Sequence, residues 1–197
     1  MLSQLKPAVI LLALFTVITG VVYPLAVTGI AQLAFPSQAN GSLLTVNGKA
    51  VGSELIGQQF DDPKYFWGRL SATGPFPYNS YYARTLTASS GSNYGPLNPA
   101  LTQEVQGRID ALRKADPSNT ALIPVDLVTS SGSGLDPDIS VAAALYQVHR
   151  VASVRRLADA QVKALVNRYT EGRQFGFLGE PRVNVLKLNL ALDGYTP

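Results

Sequence analysis

Between Lys6 and Lys49 the chain carries no Lys, Arg, His, Asp or Glu. Inside that gap, Ala8–Ile30 reads AVILLALFTVITGVVYPLAVTGI, 23 residues whose one ionisable side chain is Tyr23. This stretch constrains the fold more than any other. A helix of about 20 apolar residues spans a bilayer core. Thirteen of the 23 are Leu, Ile, Phe or Val. At roughly −0.3 to −0.6 kcal/mol each, they favour insertion by on the order of 4 to 8 kcal/mol before Pro, Gly and Thr are deducted. A buried helix of a soluble protein would show a polar side, and this segment has none. A signal peptide is the other reading, with Gly29-Ile30-Ala31 as a weak cleavage site, but its apolar region is shorter, roughly 7–15 residues. The expectation is a membrane anchor over residues 8–30.

The flanks orient it. Lys6 and the α-amino group precede the span, and the first positive charge after it is Lys49. The positive-inside rule then puts residues 1–7 in the cytoplasm and everything after about Phe35 outside. Within the span Thr16, Gly20, Pro24 and Thr28 recur every four residues, with Tyr23 beside Pro24. Small residues at this spacing let helices pack closely in lipid. Pro24 removes a backbone donor and predicts a bend.

Residues 36–197 then read as one mixed domain, large enough to hold its own core. Asn47-Gly48 between two apolar runs is a hairpin signal. Residues 68–98 show no sustained period and hold four of the nine tyrosines, Tyr78, Tyr81, Tyr82 and Tyr94. A segment this long without structure is functional or disordered, and tyrosine favours a contact loop. Asn98-Pro99 opens a helix ending at Asp116-Pro117, residues 124–129 read as a strand, and Asp138 or Ser140 caps the next helix, which breaks near residues 157–159. The apolar run 183–192 changes period at Leu186, as a bulged strand or a strand entering a helix would. The fold class is α+β: one N-terminal transmembrane helix followed by a mixed extracytoplasmic domain.

Composition narrows the chemistry. With no cysteine and one histidine, His149, thiolate metal sites and cysteine catalysis are excluded. A net charge of +3 is too small for a nucleic-acid surface. Ser131-Gly132-Ser133-Gly134 invites a phosphate-loop or serine-nucleophile reading, yet it lacks the Lys of the first and the G-x-S-x-G of the second. A hydrolase would need Ser131 or Ser133 beside His149. A solute-binding domain built on the tyrosine-rich loop is a further alternative. Arg150, Arg155, Arg156, Lys163, Arg168 and Arg173 form a basic cluster suited to an anionic partner or lipid headgroups.

The landmarks together resemble one family: the C subunit of the bacterial potassium-transporting Kdp ATPase. They include Thr19-Gly20 with Tyr23-Pro24, the run 39–43 (ANGSL), Leu55-Ile56-Gly57-Gln58, and residues 65–69 (YFWGR). Ser71-Ala72-Thr73, Tyr78-Asn79, Ser90-Gly91-Ser92-Asn93, Ser133–Pro137, Gln147 with Arg150, and GEPRVNVLKLNLALD over 179–193 follow in order. Leu70 departs from the family's usual Pro.

The resemblance implies a non-catalytic accessory subunit of an ATP-driven potassium importer in the bacterial inner membrane. Its implied partners are a channel-like potassium-binding subunit, a P-type ATPase subunit, a small single-span subunit and the lipid bilayer, with no nucleic acid. It implies no cofactor of the chain's own. ATP belongs to the pump subunit, whose ATP affinity the family is described as raising, as a catalytic chaperone and assembly factor. A family motif nearest Ser131–Gly134 has been likened to a nucleotide-contacting signature. Residues implied at partner contacts are Arg69, Ser71, Tyr78, Asn79, Ser92, Asn93, Leu135, Asp136, Gln147 and Arg150. The domain is expected to dock near the ion entrance of the channel-like subunit.

Overall fold

The computed structural model describes residues 4–195. The first three residues of the 1–7 segment and the last two of the 36–197 domain therefore lie outside the described residues. The chain divides into two units, residues 1–43 and 44–197.

In the first unit, α1 (Leu5–Val17), a π-helical turn (Ile18–Val22) and α2 (Tyr23–Ala34) form one 30-residue helix, long and apolar enough to cross a membrane. It overruns the expected 8–30 at both ends. None of its apolar window is buried against protein, as befits a helix that is apolar all round. The ring of Pro24 crowds the carbonyl four residues back and offers no N–H. The helix answers by widening: the Tyr23 N–H reaches the Ile18 carbonyl, an i→i+5 bond, so the π turn sits directly before the proline. The Thr16 and Thr19 hydroxyls donate to the Leu12 and Phe15 carbonyls at 2.7 and 2.6 Å and need no partner in lipid. A single turn, α3 (Pro36–Ala39), follows.

The second unit begins with β1 (Leu43–Val46), whose first residue closes the unit before, and β2 (Lys49–Ser53). Asn47 and Gly48 between them take φ of +51° and +76°, the primed turn that matches strand twist. The tyrosine-rich segment holds a minimal antiparallel pair, β3 (Tyr81–Tyr82) and β4 (Thr87–Ala88). In α4 (Pro99–Ala115) the Asn98 side chain accepts from the Ala100 N–H at 2.9 Å.

The expected strand over 124–129 is instead a 3₁₀ turn, Val125–Leu127. The Asp126 carboxylate takes both the N–H and the hydroxyl of Ser140, which requires the chain to curl there rather than extend. Then come β5 (Asp138–Ser140), α5 (Val141–Tyr146), α6 (Val148–Arg155), α7 (Asp159–Arg168), β6 (Thr170–Glu171), β7 (Arg182–Asn184) and α8 (Val185–Leu192). Ser140 caps α5 through the Ala143 N–H. β7 lies between β5 and β6, antiparallel to both, with Val183 opposite Ile139 and Thr170. The period change at Leu186 is the strand-to-helix switch, with Asn184 capping α8 through the Lys187 N–H.

The core gathers the sheet, the inner faces of α5–α8 and the segment Phe66-Trp67. Phe66, Leu127, Val151, Val162, Val166, Val183 and Leu188 are wholly enclosed.

Candidate functional site

Phe66-Trp67 has no strand beside it, yet its backbone is fully bonded. Asn189 Oδ1 accepts from the Phe66 N–H at 2.8 Å and its Nδ2 donates to the Phe66 carbonyl at 3.0 Å. Gln147 does the same for Trp67, at 2.8 and 3.1 Å. Two amide side chains thus stand in for a neighbouring strand. Arg150 completes the arrangement. Its guanidinium donates to the Pro63 and Tyr65 carbonyls and to Gln147 Oε1, and stacks on the Trp67 ring at 4.4 Å. Arg108 lies over the same ring at 5.0 Å and donates to the carbonyls of Leu127 and Gly68. Burial pulls both guanidinium groups below their ordinary pKa, though an arginine has ample margin to stay charged.

This platform carries the next segment. From Arg69 onward, three loops knot together with little regular structure. Arg69 pairs with Asp136 at 3.0 Å and donates to the Ser130 carbonyl. Ser71 Oγ donates to the Gly134 carbonyl at 2.6 Å and accepts from the Tyr78 N–H at 2.8 Å. The Tyr78 hydroxyl donates to the Arg69 carbonyl, and burial of the phenol raises its pKa to about 12. Thr73 Oγ1 accepts from the Asn79 N–H, and Asn79 Nδ2 donates to the Gly74 carbonyl. The Ser133 carbonyl takes the Ser90 N–H and the Ser89 hydroxyl, and the Leu135 carbonyl takes the Gly57 N–H at 2.8 Å. Close approach requires glycine at two crossings. A Cβ at Gly57 would stand 2.3 Å from the Tyr78 ring, and one at Gly134, where φ is +67°, would stand 2.5 Å from the Ser90 carbonyl.

Among the sequence-derived residues, Arg69, Ser71, Tyr78, Asn79, Leu135 and Asp136 therefore meet in one knot. Ser92 and Asn93 lie on its rim, with Asn93 in the left-handed region. Gln147 and Arg150 are 1% and 3% exposed; they act on the knot only through the Phe66-Trp67 platform. Thr16, Gly20, Tyr23, Pro24 and Thr28 lie on the apolar helix. Sequence reasoning missed Arg108 altogether, and quoted Thr73 and Asn189 only within longer motifs, without a role. Asn189 did leave a signal: with Asn184 it is one of two amides inside the apolar run 183–192, which is the pattern of a buried polar group with assigned partners.

The Ser131–Gly134 turn is part of the same knot. The Ser131 N–H donates to the Leu70 carbonyl, the Gly134 N–H to the Ser131 carbonyl, and Ser131 is buried. It leads into the three-residue β5 rather than a helix N-terminus, so it lacks the array of free N–H groups that cradles phosphate. The serine–histidine pairing is absent as well. His149 Nδ1 faces Asp116 at 3.1 Å, in a groove of about 920 Å³ lined by Ser118, Asn119, Tyr146 and Lys163, whereas Ser131 and Ser133 bond within the knot. Beneath the tyrosine-rich loop the cavity at Arg69 and Tyr78 holds only about 80 Å³, far below the roughly 300 Å³ at which small-molecule pockets begin.

The sequence model of the family described as "K+-transporting ATPase, c chain" matches residues 5–194. The chain is 64% identical over 193 residues to the potassium-transporting ATPase KdpC subunit of Methylococcus capsulatus, covering 98% of each. It is 64% identical over 188 residues to that of Herpetosiphon aurantiacus, covering 95% of this chain and 94% of the relative.

The chain belongs to the KdpC family. It is a non-catalytic subunit of the potassium-transporting Kdp ATPase complex. The resemblance drawn from the ordered motifs and the α+β class both hold. In this KdpC-family chain most of the quoted motifs fall into two structural sets, those that build the platform and knot and those on the apolar helix, while the run 39–43 joins α3 to β1.

Proposed function

We propose that this subunit is anchored with its N-terminus in the cytoplasm and its domain outside, and that the loop knot docks on the channel-like subunit beside the potassium entrance. Docking there, with the span packed in the bilayer near the channel-like and small single-span subunits, supports assembly. It raises the ATP affinity of the P-type subunit by favouring the conformation that binds ATP. The observation that carries this reading is the division of labour within residues 68–98. Apart from the buried Arg69 Nε, which has no partner, the side-chain polar groups that tie the knot bond within it, while Phe76, Tyr81, Leu86 and Tyr94 remain 41–76% exposed at its edge. A pre-ordered loop with an aromatic and apolar rim loses little entropy on binding and suits a protein partner. Direct ATP contact by Ser131–Gly134 is the less favoured reading, because the N–H groups of Ser131 and Gly134 are already engaged and no helix N-terminus directly follows the turn.

The test is a rim variant in the assembled complex. Tyr81→Asp with Leu86→Asp should leave the chain folded and membrane-bound, yet abolish co-purification with the channel-like subunit and raise the ATP concentration needed for half-maximal potassium-stimulated hydrolysis. Undiminished co-purification with an unchanged ATP requirement would sink the proposal.

A further inference from the structure

Between β6 and β7 the chain makes a short excursion, Gly172–Pro181, that the docking proposal does not use. Its turn presents Phe175 and Phe177 at 87% and 70% exposure, with Leu178 half exposed beside them. Phe175 takes φ of +52° and Gly176 +81°, so the chain turns sharply and projects consecutive apolar side chains outward. Two phenylalanines left in water on a four-residue turn forgo the stabilisation that burial of their rings would give, and nothing in the fold of the domain needs them there.

We propose that this tip is a second membrane contact, inserting Phe175, Phe177 and Leu178 into the boundary between headgroups and acyl chains of the leaflet on the domain's side. Three observations select lipid over protein as the occupant. Four N–H groups of the tip are satisfied within the turn: Gly176 donates to the Arg173 carbonyl, Phe177 and Leu178 to that of Gln174, and Gln174 to that of Leu178. A lipid boundary supplies no specific backbone partners, so a tip entering it must be self-sufficient; a protein partner would impose no such condition. The charge nearest the tip is also neutralised at the base, where Arg173 pairs with Glu180 at 2.6 Å, and arginine at such a position reaches readily to headgroups.

The base of the excursion, moreover, lies at the domain's chain-entry end. Lys187 bridges Glu171 of β6 to Glu54, and Asn184 of β7 donates to the Glu54 carbonyl. Glu54 directly follows β2, which the two-residue turn folds back toward the start of β1. Only eight residues separate the end of the apolar helix at Ala34 from β1 at Leu43. The base of the tip therefore packs beside the point at which the chain enters the domain. A span plus a shallow aromatic insertion gives two points of attachment, and a second point restricts the domain's swivel about its tether.

The inference goes beyond the docking proposal and can fail without it, since the docking rim lies on other loops. Because the chain contains no cysteine, single reporter cysteines can be placed in the full-length protein. Gln174→Cys, beside the tip, and Leu122→Cys, a comparably exposed control far along the chain, are each labelled with an environment-sensitive fluorophore. The protein is reconstituted in phosphatidylethanolamine–phosphatidylglycerol vesicles carrying a shallow nitroxide lipid. Quenching at position 174 should exceed that at position 122 by about threefold or more. Adding Phe175→Ser and Phe177→Ser should bring it to the control level while Trp67 emission stays unchanged. Equal quenching at the two positions overturns the proposal. So does a blue shift at position 174 that appears only when the other Kdp chains are co-reconstituted, which would assign the tip to a protein.

Discussion

Ser71 shows how much one small side chain can organise. Its hydroxyl closes a ring between the Gly134 carbonyl and the Tyr78 N–H, tying two loops 63 residues apart. The glycines nearby separate structural from ligand-binding roles for the Ser131–Gly134 turn. At Gly134 a methyl group would meet the Ser90 carbonyl and Thr73 at 2.5–2.6 Å in a left-handed conformation, while at Gly132 nothing lies within 4 Å. Gly134→Ala should therefore destabilise the domain by about 2–4 kcal/mol, and Gly132→Ala by well under about 1 kcal/mol. Urea unfolding followed by Trp67, the one tryptophan, measures both. A Gly132→Ala variant that is fully stable but cannot raise the pump's ATP affinity would revive the nucleotide reading.

Tyr78 makes a second prediction with a definite sign. Burial lifts its folded pKa to about 12, against about 10 unfolded. The stability tied to the neutral phenol is thus fully present below pH 10, then lost as pH rises through about 12, by about 2–3 kcal/mol in all. Tyr78→Phe should cost about 1 kcal/mol at pH 8 for the lost bond to the Arg69 carbonyl. Its deficit relative to wild type should shrink and then reverse by pH 12. A deficit that stays constant across that range would mean the phenol is not sequestered.

At the scale of elements, the decisive question is how far each cause lies from its effect. The Asn47-Gly48 turn, the Asn98 cap and the Ser140 cap each act within three residues, so local sequence suffices to read them. The 3₁₀ turn at Val125–Leu127 reads locally as a strand because its cause, the grip of Asp126 on Ser140, lies 14 residues away. Gln147 and Arg150 stood out in the sequence as family landmarks, but only the fold shows that they serve backbone 80 or more residues distant. The apolar helix is the opposite case, legible from one run of residues. Its π turn also bears on the face formed by Thr16, Gly20, Pro24 and Thr28. Four α-helical residues overshoot a full turn by about 40°, so such a row drifts around the helix, and the wider π turn counters that drift. Gly20 has nothing within 4 Å, leaving the helix itself indifferent to a larger residue. Gly20→Leu should keep the chain membrane-integrated yet reduce its co-purification with the other Kdp chains severalfold, since bulk there prevents close packing. Unchanged recovery of the complex would show that this face meets only lipid.

For the whole molecule, orientation governs which reading of its role is physically open. A domain outside the cell can influence ATP use only by biasing the conformation of its partners; a domain inside could touch nucleotide. The sequence signal for orientation is small: Lys6 before the span, and no positive charge after it until Lys49. Positive-inside bias is set by Lys and Arg close to the span ends, so in this chain few charges should suffice to oppose it. Lys6→Glu combined with Ser37→Arg and Gln38→Arg, both exposed on the short helix after the span, reverses the asymmetry without touching the domain. In wild-type cells, protease added to spheroplasts should digest the domain, and in inverted vesicles it should not. The triple variant should shift a substantial fraction to the opposite pattern and lower potassium-limited growth in proportion, because the reversed domain can no longer reach the ion entrance. If the variant keeps its domain outside, the partner chains rather than Lys6 set the topology. If wild-type protein is instead cut only in inverted vesicles, the extracytoplasmic docking proposal falls and direct nucleotide contact becomes the mechanism to pursue.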